Sequence, residues 1–449
     1  MKYGFLHFHI SSMWKFFLCR LHHSDTLRVL SLFYRFILQY IGKREVRNGP
    51  SIPACTPWKE TECAGDLPTG EQSMKILFVS DQYGAANNGL TISARRYAEV
   101  LRAHGHEVRV LSTNNTERDG YQVREMRIPV FDKLIKSQGM IFGRAEKNVV
   151  SEAIAWADVI HFYTPFALSM GVARMAKKAG KPATCAFHVQ PQNVSYSIGM
   201  GKWEFVNTFI FWIFRVCFYN RFRYVHCPSR FIASELEAHH YKSKPWVISN
   251  GIDPDFVYHK AEKPAELRDL FRILMIGRLS REKRQDVLID AVKKSKYRDR
   301  IRLELAGQGP RRSALLEQGR ELGENLQIVF YSKPDLLDLI SRCDLYVHAA
   351  DAEIEAMSCM EAFAGGLVPV IANSRKSATP QFALDERSLF RAGDSTDLAS
   401  KIDWWIEHPE KRREMERRYA EAAKKYALET CVSQFEELLH TAMREGSWL

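Results

Sequence analysis

DAEIEAMSCMEAFAGGLVPVIAN, residues 351–373, reads as a loop, a short helix and a buried strand. Glu353 and Glu355 lie in the loop and Glu361 in the helix. Gly365 and Gly366 end that helix, and Leu367 to Ile371 is an apolar run of strand length. The preceding Asp344 to His348 is a second short apolar strand. Strand, loop, helix, strand is the order of a βαβ unit, and parallel sheets of such units bind ligands at the carboxyl ends of their strands. The Glu353-x7-Glu361 pair is expected at that end, one carboxylate in the loop and the other on the first turns of the helix.

The same order extends upstream. Residues 273–276 read as a strand, followed by the loop Gly277-Arg278-Leu279-Ser280-Arg281-Glu282-Lys283 and a helix over 286–294. A strand over 301–305 leads into Ala306-Gly307-Gln308-Gly309 and a helix over 311–322; a strand over 328–331 and a helix over 334–342 follow. A second series lies closer to the N-terminus. KILFVS, 75–80, is a strand, and its loop contains Gly84, Asn87, Asn88 and Gly89 ahead of a helix over 91–103. GxGxxG is absent, so this first turn is weak evidence for a nucleotide. Further strands are expected at 108–111, 159–162, 183–187 and 224–227. His188 opens the polar loop after the third of these; a lone histidine is more often structural, but this position favours a functional role. VISNGIDPDF, 247–256, is a turn-rich boundary, and an amphipathic helix over 429–443 is placed to return to the first half.

The expected fold is therefore α/β, with two Rossmann-like domains facing across a cleft. The domains are 74–253 and 254–428, and 429–449 crosses back. A chain of 449 residues with 46% hydrophobic and 26% charged residues has ordinary globular composition for two domains. The formal charge of +11 suggests an anionic partner, whether nucleic acid, sugar nucleotide or membrane surface. Nine cysteines without CxxC pairs or partnered His spacing argue against a metal site and a disulfide framework, and fit a reducing cytosol. Residues 1–73 differ from the rest. Their aromatic, basic stretch is too interrupted for the ~20 apolar residues of a spanning helix, and a proline-bearing linker follows. They read as a disordered or membrane-surface extension, or as a gene-start artefact upstream of a natural start at Met74.

Residues 202–223, KWEFVNTFIFWIFRVCFYNRFR, carry crowded aromatics punctuated by Lys202, Arg215, Arg221 and Arg223. One reading is a helix buried on the first sheet; the other is a surface helix with aromatics in the lipid interface and cations at anionic headgroups. Both are compatible on different faces. In the second domain, Arg278 and Lys283 share a loop opening a helix, suited to an anionic diphosphate. Gly307 and Gly309 would let backbone approach a ligand. Glu361 is an acceptor-only carboxylate suited to the two hydroxyls of a ribose.

GRLSREKR (277–284), LAGQGP (305–310), CDLYVHAAD (343–351), Glu353-x7-Glu361 with MEAFAGGLVPVIAN, and ISNGID (248–253) together resemble the retaining family-4 glycosyltransferases of GT-B architecture. The resemblance covers about residues 74–445. It implies an acceptor-binding first domain and a nucleotide-sugar-binding second domain. Arg278 and Lys283 would bind the donor diphosphate and stabilise its departure. Glu361 would hold the ribose, Glu353 the transferred sugar, and 331–333, with Tyr331 and Lys333, the base through backbone. His188 would sit beside the reacting hydroxyl, and Asn88-Gly89 would line the acceptor or diphosphate side. No metal or cofactor is expected beyond the nucleotide sugar itself.

The chain departs from the family at Glu355-Ala356, where many members carry Phe-Gly; Glu355 adds a charge near the donor that could compete with Glu353. The expected acceptor is a membrane lipid or lipid-linked saccharide in glycolipid or surface polysaccharide synthesis. The expected location is cytoplasmic, with peripheral contact on the inner face of an anionic membrane and no nucleic-acid partner. A sugar-nucleotide 2-epimerase of the same architecture is the alternative.

Overall fold

The computed structural model describes residues 73–84, 89–115, 117–126, 141–197 and 203–449. The readings of 1–72, Asn88 and Lys202 lie outside the described residues.

The first sheet contains β1 (Lys75–Val79), β2 (Glu107–Ser112), β3 (Tyr121–Gln122), β4 (Val159–Phe162), β5 (Ala183–Ala186), β6 (Tyr224–Cys227) and β7 (Lys244–Val247), in the order β3-β2-β1-β4-β5-β6-β7. The second contains β8 (Phe271–Ile276), β9 (Ile301–Ala306), β10 (Leu326–Val329), β11 (Leu345–His348), β13 (Val368–Asn373) and β15 (Leu389–Arg391), in the order β10-β9-β8-β11-β13-β15. Two short strands, β12 (Ala352–Glu353) and β14 (Lys376–Ser377), pair separately. Every pairing within the two sheets is parallel. Helices cover both faces, which is why β4, β5, β6 and β11 are buried at every residue and read as unbroken short runs rather than alternating ones. In each sheet the order reverses beside its first strand, the topological switch at which such sheets hold ligands.

The chain passes from one domain to the other at Ser249-Asn250-Gly251-Ile252-Asp253. The helix Leu428–Glu445 recrosses at the same place, where Ile252 N donates to Tyr426 O at 2.7 Å and Leu428 N to Ile252 O at 3.2 Å. Gly251 has φ +77°, and a Cβ there would stand 2.8 Å from Leu428 Cα, so glycine is demanded by both conformation and space. Beyond the crossing, Val432, Phe435, Leu438 and Leu439 are fully buried in the first-domain core with Ile76, Phe78 and Tyr97. The expected returning helix is thus an integral part of that domain.

Element ends differ modestly from expectation. The helix expected over 311–322 stops at Gln318, before Gly319, and continues as a 3₁₀ turn. Within 202–223 the helix Glu204–Cys217 buries Val206, Ile210, Phe211, Ile213 and Phe214, while Phe205, Phe209, Trp212 and Val216 form an outward stripe. Among the described residues no helix is long and apolar enough to cross a membrane.

Candidate active site

The carboxyl ends of the two sheets meet. Gln190 Nε2, four residues beyond β5, donates to Lys376 O at 2.9 Å, and Ser229 Oγ, beyond β6, donates to Ile354 O at 2.6 Å. The loops that follow β11 and β13 therefore meet those that follow β5 and β6, and the residues below lie in or beside that junction.

In the second domain, β8 delivers the loop 277–283. Arg278 is exposed, and among the described residues its guanidinium has no hydrogen bond or ion pair; its carbonyl accepts from Gln285 Nε2 at 2.9 Å and from Ser280 Oγ at 3.4 Å. Lys283 closes a single 3₁₀ turn, Arg281–Lys283, and its ammonium is hydrogen-bonded to Glu353 Oε1. The Nε2 of His348, the last residue of β11, lies 3.3 Å from that same oxygen, and Tyr346 OH is 3.2 Å from His348 Nδ1. Burial alone would push the Glu353 carboxyl up, but the Lys283 charge and His348 bring it down to about 2. Glu353 is thus a permanent carboxylate, and His348, which the sequence reading passed over, is its fixed neighbour.

Gly307 and Gly309 stand in close contact with the chain's own backbone. A Cβ on Gly307 would stand 2.0 Å from Gly277 O, and one on Gly309 2.5 Å from Leu279 O. The backbone they admit is that of the Arg278 loop, held by Leu279 N donating to Gln308 O at 3.0 Å. Their effect is to set the two loops edge to edge.

The concern that Glu355 competes with Glu353 is corrected by the structure. Ala356 adopts the left-handed conformation, φ +69° and ψ +61°, where many family members carry glycine. The turn sends Glu355 away from Lys283 and into the domain boundary, where Asn250 donates to its Oε2 through backbone N at 2.9 Å and Nδ2 at 2.6 Å. Burial pushes this carboxyl up to about 7, against the hydrogen bonds from Ser249 and Asn250.

Glu361 projects from the helix Met357–Ala364 toward the first domain. Arg96, from the helix Gly89–Ala103, donates Nη1 to Glu361 Oε1 at 2.9 Å, and its Nε lies 3.2 Å from Asp253 Oδ2. Lys333 Nζ joins the same group, 2.7 Å from Asp253 and 2.6 Å from Asp255. Burial raises the Glu361 carboxyl and the Arg96 charge opposes it. The Tyr331 ring packs half-buried against the second-domain core.

On the first-domain side, His188 is buried. Its ring stacks on Tyr163 at 5.7 Å and meets the edge of His226 at 5.3 Å, and its Nε2 has no hydrogen-bond partner among the described residues. Burial, and then His226, hold its pKa well below the ordinary histidine value, so it is a neutral imidazole. Gly89 opens the helix that carries Arg96, with open space where a Cβ would stand.

The structure thus groups Lys283 with Glu353 and His348, and Glu361 with Arg96, Asp253 and Lys333. Among the described residues the Arg278 guanidinium stands unpaired on the loop 277–283. Among the described residues no group of three or more His, Cys, Asp or Glu side chains converges as a metal-ligand set.

Two family models match consecutive parts of the chain: "Glycosyltransferase Family 4" over residues 87–256 and "Glycosyl transferases group 1" over 259–426. The chain is 25% identical over 321 residues to the alpha-monoglucosyldiacylglycerol synthase of Streptococcus pneumoniae, covering 67% of this chain and 71% of that one. The solved structure of Anabaena HepE in complex with UDP and glucose superposes with a TM-score of 0.62 at 18% identity, over 82% of this chain and 100% of that one. The catalytic domain of cholesterol-alpha-glucosyltransferase from Helicobacter pylori is 48% identical over 35% of this chain and 99% of its own length, with a TM-score of 0.34. The matched families favour glycosyl transfer over sugar-nucleotide epimerisation. The chain belongs to the family 4 glycosyltransferases and has their two-domain GT-B architecture.

Proposed function

We propose that this enzyme moves a hexosyl group from a nucleoside diphosphate sugar to a hydroxyl of a membrane lipid or lipid-linked saccharide, with retention at the anomeric carbon. The observation that carries the reading is the Lys283–Glu353 pair, with Arg278 on the same loop and its guanidinium without a partner among the described residues. Cleavage of the sugar–phosphate bond develops negative charge on the leaving diphosphate and positive charge at the anomeric carbon. Arg278 and Lys283 would meet the first, and fixed cations aimed at developing charge lower a barrier without rearranging during the step. The Glu353 carboxylate, held ionised to about pH 2, would face the second.

His188 remains neutral, so its unpartnered Nε2 would orient the attacking hydroxyl rather than add a charge. Front-face attack needs no enzyme nucleophile; the departing phosphate oxygen takes the proton of the incoming hydroxyl. In this reading catalysis rests on positioning, and the two protein cations do the work that a metal would otherwise do.

Two observations favour a lipid acceptor. The stripe Phe205, Phe209, Trp212 and Val216 is 49%, 47%, 36% and 40% exposed along one helix face. Such a face suits the interfacial layer of a bilayer. The same helix begins at the junction: Glu204, its first residue, is ion-paired with Lys376 of the second domain. A lipid whose tails lie along the stripe would have its head at the mouth of the cleft. The S. pneumoniae relative is named for a glucosyldiacylglycerol product.

The test offers purified enzyme a panel of labelled nucleotide sugars with vesicles containing diacylglycerol, a sterol or a polyprenyl phosphate. Label should pass to an organic-extractable product, with nucleoside diphosphate release that requires the acceptor. Epimerised nucleotide sugar without acceptor, or turnover only on water-soluble acceptors, would overturn the reading.

A further inference from the structure

A first-domain guanidinium occupies one oxygen of the carboxylate proposed to hold the donor ribose. Arg96 Nη1 lies 2.9 Å from Glu361 Oε1 and its Nε 3.2 Å from Asp253 Oδ2. The side chains of Arg96, Glu361 and Asp253 are only 14%, 12% and 11% exposed. Another side-chain ion pair reaching between the domains, Glu204–Lys376, is 65% exposed on its glutamate and has the character of a rim contact. The buried pair is of another kind, because a near-dry ion pair is a poor source of stability yet is strongly directional.

Its three parts come from three places. Arg96 belongs to the first domain, Asp253 to the boundary, and Glu361 to the second-domain helix that follows the Glu353 loop. Lys333 Nζ, at the start of the helix Lys333–Arg342, completes the set by holding Asp253 at 2.7 Å. A carboxylate has two oxygens and about four acceptor positions. With Arg96 on Oε1, Glu361 keeps Oε2 and one further lone pair, enough for the two hydroxyls of a ribose.

We propose that Arg96 is a positioning residue for the donor: it fixes Glu361 so that the carboxylate presents itself to the ribose only when the first domain is in place. The inference rests on the proposed ribose role of Glu361 and adds what that role lacks, a reason for the second-domain sugar-nucleotide site to sense the first domain. Arg96 touches neither reacting atom, so its effect belongs in donor affinity and not in the chemical step.

The experiment measures calorimetric dissociation constants for UDP, GDP and their 2′-deoxy counterparts. The proteins are the wild type, Arg96→Lys, Arg96→Gln, Glu361→Gln and the Arg96→Gln/Glu361→Gln double variant. Hydrogen bonds to a charged group predict that the wild type prefers the ribonucleotide by on the order of 10-fold or more. Arg96→Gln should lose most of that preference, Arg96→Lys should keep part of it, and Arg96→Gln should change little further once Glu361 is Gln. The ratio of two ligands on one protein is insensitive to a fraction of misfolded variant.

Equal weakening of ribose and deoxyribose forms by Arg96→Gln, or strict additivity in the double variant, would overturn the inference and leave glycosyl transfer standing. Wild-type binding without ribose preference would remove the ribose role of Glu361, and the inference with it. Binding of neither nucleotide would instead strike the donor reading itself.

Discussion

Replacing Glu355 by Gln isolates what a buried carboxyl does at the domain boundary. The structure holds this group with a pKa of about 7 against an ordinary 4.5, chiefly because it is desolvated. Between those two values the folded chain retains a proton that the unfolded chain has released. Stability must therefore fall as pH rises from about 4.5 to about 7, and the whole deficit is present above that window. One pKa unit corresponds to about 1.4 kcal/mol, so the deficit is about 3 kcal/mol.

Gln keeps an oxygen for the Asn250 N–H and Nδ2 donors, cannot ionise, and introduces an NH₂ whose fit adds an offset of about 1 kcal/mol that does not vary with pH. The diagnostic is the slope. Thermal midpoints of the two proteins, compared from pH 5 to pH 8, should separate progressively in favour of Glu355→Gln, by several degrees at the alkaline end. Parallel curves, or a gap that narrows as pH rises, would refute the assignment of Glu355 as a desolvated boundary group. Turnover supplies a second check: Glu355→Gln should keep most of it, because its carboxylate points away from Lys283. A loss matching that of Glu353→Gln would return Glu355 to the sugar.

Arg278→Ala and Lys283→Ala should each lower turnover by on the order of 10²-fold or more, the scale of one lost transition-state donor. They should differ in stability: Arg278 is exposed and unpaired, whereas removing Lys283 leaves Glu353 buried without its cation, at a cost of about 3–5 kcal/mol. Equal midpoints for the two variants would contradict that difference. Glu361→Ala should chiefly weaken nucleotide binding, read by calorimetry; unchanged affinity would count against it as a ribose ligand. Gly251→Ala forces a residue at φ +77° against Leu428 Cα and should destabilise by about 1–3 kcal/mol, with faster proteolysis near residue 428; a wild-type midpoint would show that the crossing is slack.

Much of this was legible along the chain because parallel strands buried on both faces appear as short apolar runs, each followed by its ligand-side loop. KILFVS, the run before Arg278 and the run after Gly366 are such cases. Glu353 and Glu361 were visible through their fixed spacing around one loop–helix junction. Contacts between distant segments leave no such trace. Arg96 stands beside Arg95 on an amphipathic helix and reads as part of a solvated face; nothing near it announces Glu361, 265 residues on. His348 ends an apolar strand and looks like core until Glu353 folds back over it. The direction of Glu355 depended on one left-handed residue, Ala356, which composition does not reveal. The edge-to-edge contact that Gly307 and Gly309 make with the Arg278 loop is likewise invisible along the chain.

The helix Leu428–Glu445 has a bearing on how the protein is made. Synthesis runs from the N-terminus, and domains generally condense as they emerge from the ribosome. Here Phe78 and Tyr97 share a core with Phe435, which is translated only after the whole second domain. The first domain must therefore wait, partly unsealed, while some 180 intervening residues are added and fold beside it. A chain cut off just before residue 428 would keep the second-domain core complete and leave the first domain open, a state that chaperones or proteases would meet with its aromatic interior on view.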